Sequence, residues 1–176
     1  MKPLFPEQFE TPRLRLRQLE ERDLDDLARM FSDPETMKYI GGNPLSREES
    51  WRALAVVRGH WVLRGYGFIA IEEKATGRLL GRGGPWRPEG WPGLEVGWMI
   101  DRARWGEGFA TEAGKAFLEK MWQVFDVPEV VSVIHPDNVR SIKVAEKLGE
   151  RFQKTTSLRV GPTQMPVSIY AISRPG

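Results

Sequence analysis

Apolar and polar positions follow two periods along this chain, and the switches between them outline a fold. Over 13–19, RLRLRQL alternates leucine with polar, mostly basic residues, the period of a strand with one buried face. EERDLDDLARMFSD then sets Leu24, Leu27, Ala28 and Phe31 at helical spacing, with acids in the first turn and Pro34 beyond as a stop. GGNP reads as a loop, and SREE, Ser46 to Glu49, is a capping-box pattern that predicts a helix to about Arg64. GFIAIEE and RLLGRGG, joined by KATG, predict a β-hairpin. After the turn RPEGWPG, LEVGWMI over 94–100 predicts another strand. A helix from about Ala110 to Phe125 follows, then the buried strand EVVSVI, the turn HPDN and a helix, VRSIKVAEKLG, closed by Gly149. The tail to Arg174 holds two short strands. The order β-α-α-β-β-β-α-β-α-β-β predicts an α/β fold with helices against a mixed sheet.

Composition narrows this picture without redirecting it. The 176 residues suit a single domain spanning 1–176, and 40% hydrophobic with 28% charged residues is ordinary for a soluble globular protein. The net charge of +2 suits an anionic ligand but does not by itself indicate nucleic acid. The absence of cysteine removes disulfides, thiolate metal sites and a cysteine nucleophile. MKPLFPEQFE lacks the apolar core of a signal peptide, and no window approaches the ~18 apolar residues of a membrane span. The expectation is a cytoplasmic protein.

RWGEGFATEA places Gly106 and Gly108 between a strand and a helix. A helix N-terminus offers unpaired N–H groups and the positive end of the macrodipole, and glycines there let phosphate oxygens approach the main chain. The pair therefore reads as a phosphate cradle or, on spacing alone, as a flexible turn that binds nothing. It is not a dinucleotide fingerprint, because Thr111 stands where the third glycine belongs. GFATEAGKA is not a Walker A loop either, since five residues separate Gly108 from Gly114 and Ala116 replaces the magnesium-binding hydroxyl.

Together with HPDNVRSIKVAEKLG about thirty residues on, and ETPRLRLRQLEERDLDDL at the start, WMIDRARWGEGFATEA resembles the GNAT superfamily of N-acetyltransferases. The similarity extends over nearly the whole chain and is nearest to the Rim-type branch, which acetylates N-terminal amines of ribosomal proteins. It implies the GNAT fold, a mostly antiparallel sheet with helices on both faces, and acetyl-CoA as cosubstrate without a metal. By that resemblance the amides from Gly106 through Glu107, Gly108, Phe109 and Ala110 to Thr111 would take the pyrophosphate. Trp105 departs from the usual Gln or Arg. The pantetheine arm would exchange main-chain hydrogen bonds with Trp98, Met99 and Ile100 and contact Asn138. Asn138 is also a natural N-cap that places Ser141 in the first helical turn. Where many relatives have a tyrosine that protonates the leaving thiolate, this chain has Ala145. The N-x-x-S serine of Rim-type enzymes falls on Ser141, the candidate acid. After KLG, Glu150 and Arg151 precede Phe152, which points to a shifted bulge.

Acetyl transfer needs a neutral amine, a stabilised oxyanion and a leaving thiolate. Glu95 interrupts LEVGWMI and resembles the glutamate that several GNAT enzymes carry on this strand, so it is the candidate base; desolvation there would raise its pKa. By the resemblance, Val133 occupies the position where some Rim-type relatives carry a catalytic glutamate; His135 lies in a polar turn, and His60 reads as surface or packing. Arg82, Arg87 and Arg102 read as solvated. Among the seven tryptophans, Trp51, Trp61, Trp86 and Trp91 are candidates to wall an acceptor cleft. At pH 7 roughly a tenth of an α-amine is neutral, against about 0.04% of a lysine. The expected acceptor is thus an amine, first a protein N-terminus. A small-molecule amine (polyamine, amino acid or antibiotic), a non-catalytic CoA-binding module and a nucleic-acid binder are the alternatives, and a homodimer is compatible with the sequence.

Overall fold

The computed structural model describes residues 3–160 and 163–176. An eight-stranded sheet organises it, with the strands β1 (Gln8–Glu10), β2 (Leu14–Gln18), β3 (Ile69–Glu73), β4 (Leu79–Trp86), β5 (Glu95–Ile100), β6 (Glu129–Ile134), β7 (Arg151–Val160) and β8 (Thr163–Ser173). Their order is β1-β2-β3-β4-β5-β6-β8-β7. All neighbours are antiparallel except β5 and β6. The helices are α1 (Leu24–Phe31), α2 (Pro34–Met37), α3 (Arg47–Arg64), α4 (Phe109–Val124) and α5 (Val139–Lys147).

Local chemistry explains the helix ends. Ser46 and Glu49 form the reciprocal capping box, with Glu49 N–H donating to Ser46 Oγ at 3.2 Å, and α3 stops where Gly65 takes φ 73°. Pro34 ends one pattern and opens the next, since its missing N–H is no loss in the first turn of α2. That one-turn helix and the short β1 lack a periodic signature and were not expected. In β2, Leu14 and Leu16 are buried as their alternation requires. Arg17 departs from the pattern: it is buried, and its guanidinium donates to Asp23 at 2.7 and 2.8 Å and to Glu72 at 2.9 Å. A buried charge persists only with such partners.

The tail strands are long, not short, with ten and eleven residues. Their register shifts between Phe152 and Lys154, the bulge that the extra residues after KLG imply. Phe5, Leu14, Leu27, Ile69, Phe117 and Met121 lie in the main core between sheet and helices. No helix among the described residues is long and apolar enough to cross a membrane.

Candidate active site

β5 and β6 are parallel and register at one position, Glu95 opposite Val131, beside which Val131 N–H donates to Leu94 O at 2.9 Å. Past that point the two strands lose their ladder. Ser132 Oγ lies 2.8 Å from Val96 O, so a hydroxyl substitutes for the next main-chain bond. The N-termini of α4 and α5 follow the C-terminal ends of β5 and β6. Two positive helix ends therefore flank the open end of the gap.

The loop into α4 is held by ion pairs that leave its main chain open. Gly106 and Gly108 have φ 86° and 84°, the left-handed region where a side chain would be strained. None of the N–H groups from Gly106 to Thr111 donates to another group among the described residues. Glu107 pairs with Arg104 at 2.8 Å, and its carbonyl accepts from Arg13 at 3.0 Å. Arg104 also grips Glu73, and Arg13 grips Glu112 at 2.6 Å. Phe109 is buried with Arg13 4.2 Å and Arg104 4.9 Å from its ring centre. Side chains thus brace the loop while its amides remain available for an anion.

Trp105, standing where a Gln or Arg was anticipated, donates its indole N–H to Ile100 O at 2.7 Å. This takes one of the main-chain groups expected to meet the pantetheine arm. Met99 is a second departure. Its carbonyl points at β4, where a Cβ on Gly81 would lie 1.9 Å from it, because strand main-chain groups alternate between neighbours. Trp98 has the opposite parity, so its main chain faces the β6 side; its side chain packs with Ile134, Ile142, Ala145 and Tyr170.

At the start of α5, Asn138 Oδ1 accepts the Ser141 N–H at 3.2 Å, the anticipated N-cap. Ser141 is half-buried. Ala145 is fully buried, and no hydroxyl stands at its position. His135 closes the turn by accepting the Asp137 N–H at Nδ1, and its ring lies 5.0 Å from that of Tyr39.

Glu95 is 7% exposed and therefore not on a solvent face. Burial pushes its pKa up to about 7, partly offset by the Trp91 indole N–H, which donates to Oε2 at 2.6 Å, and by the Val133 amide. Of the other tryptophans, Trp86 stacks between Phe68 at 4.6 Å and His60 at 4.3 Å, so His60 is a packing residue. Trp61 donates to Phe68 O, and Trp51 is half exposed on α3.

Two residues have roles that local sequence did not disclose. Glu150 is 3% exposed, and burial pushes its pKa up to about 8, with the nearby Glu95 adding to the rise. Its Oε1 lies 3.0 Å from Ser132 Oγ. An acid between a helix end and a strand carries no periodic signal of burial; only the bulge hinted at an irregular position. Arg82 corrects the expectation of a solvated side chain, as it is half-buried between Phe31 and Phe68.

Comparison with known proteins agrees with this geometry. The family model described as an acetyltransferase (GNAT) domain matches residues 13–151. The chain is 35% identical over 170 residues to the uncharacterized protein YkkB of Bacillus subtilis, covering 91% of this chain and 92% of that one. It is 30% identical over 151 residues to the uncharacterized N-acetyltransferase p20 of Bacillus licheniformis, covering 85% and 84%. The crystal structure of an acetyltransferase from Agrobacterium tumefaciens superposes with a TM-score of 0.81 at 26% identity, covering 94% of this chain and 93% of that one. An open-ended β5–β6 gap, an N–H-rich loop before α4 and these relatives converge: the chain belongs to the GNAT family and is an N-acetyltransferase.

Proposed function

We propose that residues 1–176 act as one unit that uses acetyl-CoA to acetylate a primary amine directly, first among acceptors a protein N-terminal α-amine. The observation that carries this reading is the row of undonated amides from Gly106 to Thr111 beside the gap that contains Glu95. Acetyl-CoA fits that row, because a diphosphate needs several convergent donors and the glycines leave the main chain uncovered. When bound it supplies the activated acetyl thioester. Trp98 would align the pantetheine arm through its main chain, Asn138 would shape the start of α5, and Ser141 would hydrogen-bond the departing sulfur near a helix N-terminus.

The choice of amine follows from Glu95. With a pKa of about 7, it lies roughly one unit below an α-ammonium and more than three below a lysine. Deprotonation by Glu95 then costs about 1–1.5 kcal/mol for the first and about 4–5 kcal/mol for the second. The Asn138–Ser141 spacing supports the Rim-type branch within the family. Thiol release from acetyl-CoA with peptides bearing a free N-terminus, N-blocked peptides with an internal lysine, and polyamines tests the reading. Turnover of the free N-termini supports it; turnover confined to lysine or polyamine overturns it.

A further inference from the structure

Among the described residues, Arg82 is a cation without an anion. It lies on β4 opposite Met99, and none of the described carboxylates pairs with or hydrogen-bonds to it. Its guanidinium lies 4.9 Å from the centre of Phe31 and 5.2 Å from that of Phe68. Desolvation alone acts on it and pulls its pKa down to about 10. A guanidinium held between two rings and stripped of part of its water is destabilised until a carboxylate or phosphate completes its shell. Rings also fix the plane of the fork, which favours a bidentate carboxylate.

The position relates this cation to the acetyl-transfer site. Glu95, Gly97 and Met99 alternate onto one face of β5, and Arg82 shares that face as the partner of Met99. Phe68 lies over Gly97, where a Cβ would fall 2.9 Å from its ring and 3.4 Å from Glu95 Oε1. The Phe68 ring and the Glu95 carboxyl group therefore fill the space a side chain at Gly97 would take, and Phe68 lies between Arg82 and Glu95 on that face, so an acceptor reaching both passes over its ring. Four strand steps separate Glu95 from Met99, about 13 Å. Two or three extended residues cover about 7–11 Å at about 3.3–3.6 Å each, and an acidic side chain of the acceptor reaches the remainder.

On the basis of the acetyltransferase reading above, we propose that Arg82 binds a carboxylate of the acceptor, carried two or three residues from the amine presented to Glu95. The acceptor is then an acidic N-terminal segment, and cationic polyamines and aminoglycosides are disfavoured by the same charge.

The test uses wild-type protein, acetyl-CoA and paired tetrapeptide amides, Ser-Glu-Ala-Ala against Ser-Gln-Ala-Ala and Ser-Ala-Glu-Ala against Ser-Ala-Gln-Ala, with free glutamate and glutamine as a short-span pair. The expected result is a kcat/KM at least about tenfold higher for one Glu peptide than its Gln partner, expressed in KM and reduced by salt. Preference confined to free glutamate over glutamine places the carboxylate on a small acceptor and overturns the peptide assignment. In Arg82→Met the Glu/Gln ratio should fall to about one, while Arg82→Lys keeps part of it. Equal rates within every wild-type pair overturn the role of Arg82 and leave acetyl transfer standing. If no amine releases thiol, the acetyl-transfer reading fails. Titration of the N-acetylated peptides into CoA-loaded wild-type protein then still tests Arg82, with tighter Glu binding in its favour and equal or absent binding against it.

Discussion

Ser132 Oγ stands 3.0 Å from Glu150 Oε1, a contact that suits a proton on the buried carboxyl group. Ser132 also lies 2.8 Å from Val96 O, an acceptor only, and its single hydroxyl proton cannot serve both oxygens. With its pKa pushed up to about 8, Glu150 is protonated at neutral pH and can donate to Ser132, which in turn donates to Val96. The second Glu150 oxygen has no partner among the described residues, as expected for a group buried neutral.

This predicts a fold that weakens on the alkaline side. Glu150 titrates near its ordinary 4.5 in the unfolded chain and near 8 in the folded one, so the folded state holds more protons between those values. Its contribution is complete below about 4.5 and is lost as pH rises through about 8. Glu150→Gln should match wild type in urea unfolding near pH 5. It should be more stable by about 1–3 kcal/mol near pH 9. Parallel curves at both pH values would contradict the assignment.

As the proposed base, Glu95 should set the acidic limb of activity. kcat/KM should rise with pH to a midpoint near 7, and Glu95→Gln should lower kcat by about 10²–10⁴. Trp91→Phe removes a donor that favours the carboxylate, so the limb should move to higher pH with the maximum largely retained. A limb that stays in place in Trp91→Phe would separate the limb from Glu95.

Ser141 and Asn138 are neighbours with separable effects. Asn138→Ala removes a cap and should cost about 1 kcal/mol in thermal unfolding. Ser141→Ala keeps the cap acceptor, so stability should hold while kcat falls about tenfold or more with an unchanged KM for acetyl-CoA. Wild-type kcat in Ser141→Ala would exclude the hydroxyl from thiolate stabilisation.

Gly106 tests backbone conformation without crowding. A Cβ there meets nothing within 4 Å, yet φ is 86°. Gly106→Ala should cost about 1–2 kcal/mol of local strain and weaken CoA binding by calorimetry about tenfold. Unaltered affinity would show that the loop amides are not the diphosphate site.

Periodicity and caps made most of this protein legible from its residues alone. The alternation at Leu14 and Leu16, the Ser46–Glu49 capping box, the Asn138 cap and the glycine pair before α4 are local patterns whose causes lie within a few residues. The motif resemblance extended that reading to the family. Other features arise between segments far apart in the chain. Arg17 is buried because Glu72 meets it together with Asp23, Glu95 lies buried where β5 meets the Val133 amide of β6, and Met99 turns from the gap because strand parity assigns its carbonyl to β4. Glu150 shares the interior with Glu95, and Arg82 sits between rings from α1 and the start of β3. Short-range chemistry and hydrophobic period determine which elements form and where they end. Desolvation and charge pairing depend on what packs across the sheet, so only the tertiary structure decided which acids hold protons and that Arg82 meets no carboxylate among the described residues.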